Sequence, residues 1–284
     1  MRTSVAKSYA KINIALNVVG KKENGYHNLD MIMVPLKLHD TLIFTKLQNR
    51  SHNSVTIDNF SIIVERHNSV SEAISLFNKK SGINNFFSVL IHKVIPVKGG
   101  FGGGSSNAAA TLLLLNKWYK TNYSLEELEE MSLGIGADVP FFIRNVPARC
   151  KGIGEKIEPI KIKKDYYVLI VKPEQGCSTK EIFDKSDEYK LKTCNIDNVI
   201  KALEDGDDEL LANSICNSLY EVAASFVPEI KEIIATLNSL GLSIVQMTGS
   251  GSGVFALSTD KKLLKKARRL LEDKYLVELT KIKK

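Results

Sequence analysis

Apolar and polar residues alternate from Lys11 to Val18. Ile12, Ile14, Leu16 and Val18 fall on one side; Lys11, Asn13, Ala15 and Asn17 fall on the other. A period of two is the pattern of a half-buried strand with one polar face. Asn24-Gly25 then supplies a turn that accepts positive φ. A second extended stretch runs from His27 to Leu38, and Asp40 marks a further turn before Thr41–Thr45. The opening of the chain therefore reads as β-rich and antiparallel. From there the period changes. Ser69–Lys79 predicts a helix, Phe87–Val94 a strand or a short helix-to-strand passage, and Ser106 to Tyr119 a strong helix. Leu125–Gly134 predicts another, because Ser124 with Glu127 three residues later forms a capping-box pattern. Asp138-Val139-Pro140 opens a further helical turn.

Between Gly152 and Lys164 the composition shifts to Lys, Ile and Gly, and Tyr166–Val171 is an apolar strand. A domain boundary belongs in that stretch, dividing 1–158 from 159–284. Two or three helices follow, one ending at Gly241, and the short strands Ser243–Met247 and Val254–Leu257 flank a second glycine-rich turn. Strands and helices mix without strict alternation, which predicts an α+β fold.

Composition narrows the class. A chain of 284 residues suits two modest domains, and 44% apolar with 25% charged residues excludes disordered and collagen-like chains. The formal charge of +7 is matched by the segment Lys261–Lys284 alone, which carries ten Lys or Arg against three Asp or Glu. Leu263, Leu264, Ala267, Leu270 and Leu271 recur there at helical spacing. The segment reads as an amphipathic surface helix with a solvated basic face, not as a nucleic-acid site, because no aromatic residue interleaves the charges before Tyr275. Four cysteines, at 150, 177, 194 and 216, have neither CxxC nor zinc spacing and read as reduced thiols of a cytoplasmic protein. Asn13 and Asn17 interrupt the first apolar stretch, so it is not read as a signal peptide, and no run approaches the length of a membrane span.

The chemistry concentrates at residues 99–107, Gly-Gly-Phe-Gly-Gly-Gly-Ser-Ser-Asn, which lead directly into Ala108-Ala109-Ala110. Glycines let backbone approach a ligand without a Cβ in the way, and a helix N-terminus offers unpaired N–H groups and a positive dipole end. Ser105 and Ser106 add hydroxyls that can also approach a metal ion. No Gly-Lys-Ser/Thr follows, so this is not a Walker loop, nor is it the GxGxxG after a strand, with an acid roughly 20 residues on, that a dinucleotide site expects. The remaining alternative is a flexible hinge. Taken alone, Asp138 reads as a helix cap or a general base, Lys11 as a solvated lysine or a catalytic one, and Thr248–Gly253 as a hairpin loop or an anion cradle.

The segment from Ile95-Pro96-Val97-Lys98 to Asn107-Ala108-Ala109 resembles the phosphate-binding motif of the GHMP kinases. The resemblance extends over nearly the whole chain: Ala10-Lys11-Ile12-Asn13, Asn24-Gly25-Tyr26-His27, Gly136 to Phe142, Gly152-Ile153-Gly154-Glu155 and Thr248-Gly249-Ser250-Gly251 stand in the family's order. Phe101 departs from the more usual Leu, and Pro147 to Cys150 match no motif. The resemblance implies an N-terminal domain like the second domain of ribosomal protein S5 and a C-terminal ferredoxin-like domain. It implies a kinase that uses ATP and Mg²⁺ to phosphorylate the 2-hydroxyl of 4-diphosphocytidyl-2-C-methyl-D-erythritol in non-mevalonate isoprenoid synthesis. Homoserine- or mevalonate-type kinases, and a silent binding protein of the same fold, are the alternatives.

By the same resemblance Asp138 is the base and Lys11 its catalytic partner, which would keep the carboxylate ionised. ATP would lie against Asn68, Pro96, Gly99, Gly100, Gly102, Gly103, Gly104, Ser105, Ser106 and Asn107. The cytidyl diphosphate would lie against Asn13, Tyr26, His27, Phe183, Thr248, Gly249, Ser250 and Gly251. The metal ligand is not specified; Ser105, Ser106 and water are the candidates. The expected partner is this small molecule and neither nucleic acid nor membrane, with the chain a monomer or weak homodimer.

Overall fold

The computed structural model describes residues 3–23, 25–48, 51–58 and 68–284. Asn24 of the expected Asn-Gly turn lies outside them; Gly25 has φ of +86°. The chain forms two compact units whose segments interleave.

The first unit comprises Met1–Ala10, Leu38–Ile95 and Gly102–Asn145. Strands β1 (Thr3–Lys21) and β2 (His27–Leu47) contribute part of their length to it and are followed by β3 (Ser54–Ile57), α1 (Ser69–Ser81) and β4 (Phe86–His92). Next come α2 (Gly103–Tyr119), α3 (Leu125–Ser132) and α4 (Val139–Arg144). Thr41–Leu47 of β2 pairs antiparallel with β4, and β3 pairs parallel with β4. Their inner faces meet the helices through a chain of rings: Phe44 lies 6.0 Å from Phe87, and Phe87 lies 5.6 Å from Trp118 of α2. Helix α1 is capped by Asn68, whose side chain accepts from Val70 N and Ser71 N, and α3 begins with the expected Ser124–Glu127 box. Arg144 of α4 grips Glu129 of α3 through two nitrogens, at 2.7 and 3.0 Å, and those hydrogen bonds hold its pKa above the usual arginine value.

Asp40 does not make the expected turn, and β2 runs on through it. Its carboxylate is wholly buried and accepts from Val94 N and Ile95 N, each at 2.8 Å, and from Lys93 Nζ at 2.7 Å. A local turn signal yields here to distant partners that satisfy the carboxylate inside the strand.

The second unit comprises Lys11–Lys37, Pro96–Phe101 and Val146–Lys284. The remainder of β2 pairs with β5 (Ala148–Gly152), and β5 pairs with β6 (Lys156–Pro159), both antiparallel. A second sheet has the order β10-β7-β9-β8, antiparallel throughout, from β7 (Tyr167–Lys172), β8 (Ile244–Met247), β9 (Val254–Ser258) and β10 (Leu276–Lys281). Val168–Val171 have no exposed surface, so β7 reads as an unbroken apolar run because both its faces are covered.

Between β7 and β8 the described residues form five helices, not two or three. They are α5 (Thr179–Ser186), α6 (Ile196–Asp205), α7 (Asp208–Ser214), α8 (Tyr220–Phe226) and α9 (Glu229–Ser239). The extra helices are short and separately capped, Asn195 on α6 and Asp207 on α7, so no long apolar period announces them. The basic tail is likewise divided. Helix α10 (Lys261–Leu271) buries Leu264, Ala267 and Leu271, and the chain then turns into β10, whose partner β7 is more than a hundred residues upstream.

Two cysteines correct the expectation of four thiols. Cys194 and Cys216 are joined as a disulfide with Cα atoms 5.8 Å apart, while Cys150 and Cys177 are buried thiols. Spacing in sequence carries no sign of this pairing, which the fold alone brings about. No helix among the described residues is long and apolar enough to cross a membrane.

Candidate active site

Two clusters of polar groups form, one in each unit, and the glycine-rich segment supplies both. Gly102–Asn107 belongs to the first unit and Pro96–Phe101 to the second.

In the first unit, α2 begins at Gly103, three residues before the predicted start. Gly102 occupies the N-cap in left-handed conformation and offers no capping side chain; the first closing bond is Ser106 N to Gly102 O at 2.9 Å. The earlier N–H groups of the first turn thus project from the helix end without an intrahelical partner. Beside them stands α1, whose Ser69 Oγ lies 3.7 Å from where a Cβ of Gly104 would be. Asn68 is therefore at the edge of this cluster, with its amide committed to capping α1. Ser106 is buried, and Ser105 Oγ lies 3.9 Å from the Cβ position of Gly136, which puts the Gly136–Asp138 turn alongside the start of α2.

Asp138 stands at the N-cap position of α4 but in helical conformation, and its side chain makes no capping hydrogen bond. The carboxylate is thus not used as the helix cap that the sequence suggests for an Asp ahead of Val-Pro.

A buried network fixes the base of α2. With its amide nitrogen turned inward, Asn107 donates to Ser8 Oγ at 2.6 Å and reaches Gly103 O and Asp40 Oδ2, each at 3.2 Å. Lys93 Nζ, paired to Asp40, lies 2.8 Å from the Cβ position of Gly103. Burial lowers the Lys93 pKa, outweighing the attraction of Asp40. No local sequence signal points to this pairing of Asp40 with Lys93; it follows from strands that are far apart in the chain.

In the second unit Lys11 is only 3% exposed, and its Nζ donates to Asn13 Oδ1 at 2.6 Å. Asn13 N donates to Thr248 Oγ1 at 2.9 Å, and Lys11 N donates to Phe101 O at 3.0 Å, so both glycine-rich loops are tied to β1. Gly253 N donates to Gly99 O at 3.2 Å. Gly100 has φ of +78°, and a Cβ there would run into the Thr248 carbonyl. A Cβ on Gly249 would sit 3.2 Å from Gly100 Cα and 3.4 Å from Lys11 Nζ. Lys11, Gly100 and Gly249 therefore converge on one point, where backbone lies close to a buried cation.

The second loop is braced from beneath. Asn217 Nδ2 donates to Met247 O at 3.0 Å and Gly249 O at 2.9 Å. Ser250 Oγ and Thr179 Oγ1 are 3.0 Å apart, and Gly251 N donates to Thr248 O at 3.0 Å. Pro96 is buried in the same unit. Lys172 is buried near Gly99 and donates to Pro173 O at 2.7 Å and Glu174 O at 3.0 Å; burial lowers its pKa. Cys177, beside Gly251, has a thiol pKa pushed up to about 11 by burial.

Further along β2, the His27 and Phe183 rings lie 5.1 Å apart, inclined by 31°. The two residues were singled out separately in sequence and are brought together here. Tyr26 is 58% exposed and presents its ring to solvent. His27 Nε2 lies 2.8 Å from Asp187 Oδ1, and Lys21 Nζ lies 2.5 Å from Asp187 Oδ2. These two hydrogen bonds, that of Lys21 first, hold the Asp187 carboxyl below its usual range. Asp187 and Asn217 were both missed in sequence, since an Asp after a short helix and an Asn in a loop look unremarkable without their partners.

Among the described residues no group of three or more His, Cys, Asp or Glu is placed to hold a metal ion. The cluster around α2 instead suits an anion: an uncapped helix end floored by glycines, with two serine hydroxyls near it.

The sequence matches the models named GHMP kinases N terminal domain, over residues 68–145, and GHMP kinases C terminal, over residues 199–276. It is 38% identical over 270 residues to a 4-diphosphocytidyl-2-C-methyl-D-erythritol kinase of Clostridium perfringens, covering 95% of this chain and 93% of the relative. It is 39% identical over 263 residues to the enzyme of that name from Lachnoclostridium phytofermentans, covering 92% and 90%. Among solved structures, a 4-(cytidine 5'-diphospho)-2C-methyl-D-erythritol kinase superposes with TM-score 0.82 at 26% identity, covering 99% of this chain and 100% of that one. A homoserine kinase from Cytophaga hutchinsonii superposes with TM-score 0.76 at 13% identity, covering 98% and 94%; that likeness is one of fold alone.

Proposed function

The chain belongs to the 4-diphosphocytidyl-2-C-methyl-D-erythritol kinases of the GHMP superfamily, and we propose how its residues divide the work of that reaction. It is an ATP-dependent kinase of isoprenoid precursor synthesis with two GHMP domains of α+β fold, the first like ribosomal protein S5 domain 2 and the second ferredoxin-like. We assign ATP binding and catalysis to residues 1–158 and the C-terminal kinase domain to 159–284. The two matched family segments fall on either side of that division.

The ATP phosphates rest on the uncapped start of α2 and on Gly99, Gly100 and Gly102–Ser106, with Asn68 and Pro96 bordering the nucleotide. Asn107 acts from below by holding the first turn. The 2-hydroxyl of the acceptor attacks the γ-phosphorus, the bond from that phosphorus to the departing ADP oxygen breaks, and Asp138 takes the hydroxyl proton. Lys11, buried and anchored on Asn13, supplies fixed positive charge where anionic oxygen develops. Mg²⁺, when bound, neutralises phosphate charge; Ser105 or Ser106 would hold it together with the phosphates and water. Thr248–Gly251 cradle the acceptor's diphosphate through backbone N–H groups. We further propose a cytoplasmic enzyme acting as a monomer or weak homodimer.

The observation that carries the acceptor assignment is the His27–Phe183 pair, an aromatic face and a polar ring edge held side by side, with the Tyr26 ring next to them in the chain. This set suits a planar base that is stacked and read at its edge. A coupled ADP-release assay tests the assignment with 4-diphosphocytidyl-2-C-methyl-D-erythritol, homoserine and mevalonate in parallel. Turnover confined to the cytidyl substrate is expected. Turnover with either of the others would move the enzyme to another branch of the superfamily, and silence with all three would favour a binding protein.

A further inference from the structure

His27 is 7% exposed and confined on two sides, by the Phe183 ring and by the Asp187 carboxylate. An ionised carboxylate can only accept, so the 2.8 Å contact requires the proton of a neutral ring to reside on Nε2. Lys21, at 2.5 Å from the other carboxylate oxygen, keeps Asp187 both ionised and in place. The consequence falls on Nδ1, for which no hydrogen bond is made among the described residues. With Nε2 protonated, Nδ1 is an acceptor.

We infer that Asp187 is the positioning residue that sets the base preference of this kinase, by fixing the His27 tautomer that accepts from an exocyclic amine. The inference rests on the proposal that His27 meets the pyrimidine. Cytosine carries an amine at the 4-position, a donor that complements Nδ1. Uracil carries a carbonyl there, and two acceptors would face each other at a ring that is only 7% exposed. The opposite tautomer would reverse the preference. Asp187 itself need not touch the ligand; it acts through the imidazole, and Lys21 acts through Asp187. Because Asp187 and Lys21 are both on the surface, the triad can be altered without opening the core.

The test uses the full-length enzyme, with CDP and UDP as competitors of the cytidyl substrate and ¹⁵N-histidine NMR as an independent readout. In the unaltered enzyme CDP should inhibit about tenfold or more better than UDP, the discrimination that one unpaired polar group commonly produces. The His27 nitrogens should show the Nε2–H form. Asp187→Ala should bring the CDP and UDP inhibition constants to within about twofold and yield a tautomer mixture, with the KM for ATP unchanged. Asp187→Asn, which keeps an acceptor oxygen, should restore much of both. Unaltered CDP preference in Asp187→Ala would overturn the inference while leaving the cytidyl site in place. So would an Nδ1–H or doubly protonated His27 in the unaltered enzyme, or a KM for ATP that rises in step. No CDP preference in the unaltered enzyme would instead remove His27 from the base site, and the inference with it.

Discussion

Lys93 and Asp40 form an ion pair of 2.7 Å in which the carboxylate is wholly buried and the ammonium nearly so, directly beneath the first turn of α2. Asp40 also accepts from two backbone N–H groups at the entry to the glycine-rich segment, so one carboxylate sets both the loop and the helix that follows it. Asp40→Ala would strand a buried charge and two donors together, a loss of ~3–5 kcal/mol in unfolding free energy. Asp40→Asn, which preserves an acceptor oxygen for the loop, should lose less. Urea unfolding of the three proteins checks this; a loss below ~1 kcal/mol in Asp40→Ala would show that the pair does not hold this region.

Asp138 is expected to dominate the chemistry without dominating nucleotide binding. Asp138→Asn should lower kcat by ~10²–10⁴, the usual range for a lost general base, with ATP affinity retained. Single-turnover kinetics beside equilibrium ATP titration separates the two. Near-normal turnover would remove Asp138 as the base.

Gly100 and Gly82 both have positive φ, +78° and +69°, but different surroundings. At Gly82 a Cβ meets nothing within 4 Å, whereas at Gly100 it meets the Thr248 carbonyl. Gly82→Ala should therefore cost only the ~1–2 kcal/mol of left-handed strain and leave kinetics alone. Gly100→Ala should add displacement of both loops and lower kcat/KM by ~100-fold. Steady-state kinetics with calorimetry on both variants checks the contrast, and equal kinetics would mean that the loops tolerate separation.

The Cys177 thiol gives a pH signature. Burial, opposed by the charge of Lys172, raises its pKa from 9.0 to about 11 in the folded protein. The folded state then holds this proton more tightly than the unfolded chain does. The resulting stability is complete below pH 9.0 and is lost as the pH rises through about 11. The stability difference between the unaltered protein and Cys177→Ala should narrow across that window. A difference that stays level or widens, read by urea unfolding at several pH values, would contradict the assigned burial effect.

Much of the site could be read before the fold was known, because its parts are local. Glycines ahead of a helix, a Lys and an Asn on one strand face, and a capping box each carry their meaning within a few residues. What escaped depends on distance. The glycines at 103 and 104 disfavour helix on propensity, yet α2 begins there because Asn107, Ser8 and Asp40 pin its first turn. Asp40 read as a turn because its partners Lys93, Val94 and Ile95 belong to another strand's end. Asp187 and Asn217 had no signature, since each acts through groups on remote segments, and the Cys194–Cys216 bridge was hidden for the same reason.

The convergence of Lys11, Gly100 and Gly249 also bears on how the enzyme is made. Its members come from the beginning, the middle and the far end of the chain, and the brace that holds the last of them, Asn217, is itself translated late. The residues of α2 are made long before Thr248–Gly253. Until then Lys11 lacks the neighbour that Gly249 provides. These contacts around Lys11 therefore form only after Thr248–Gly253 has been made.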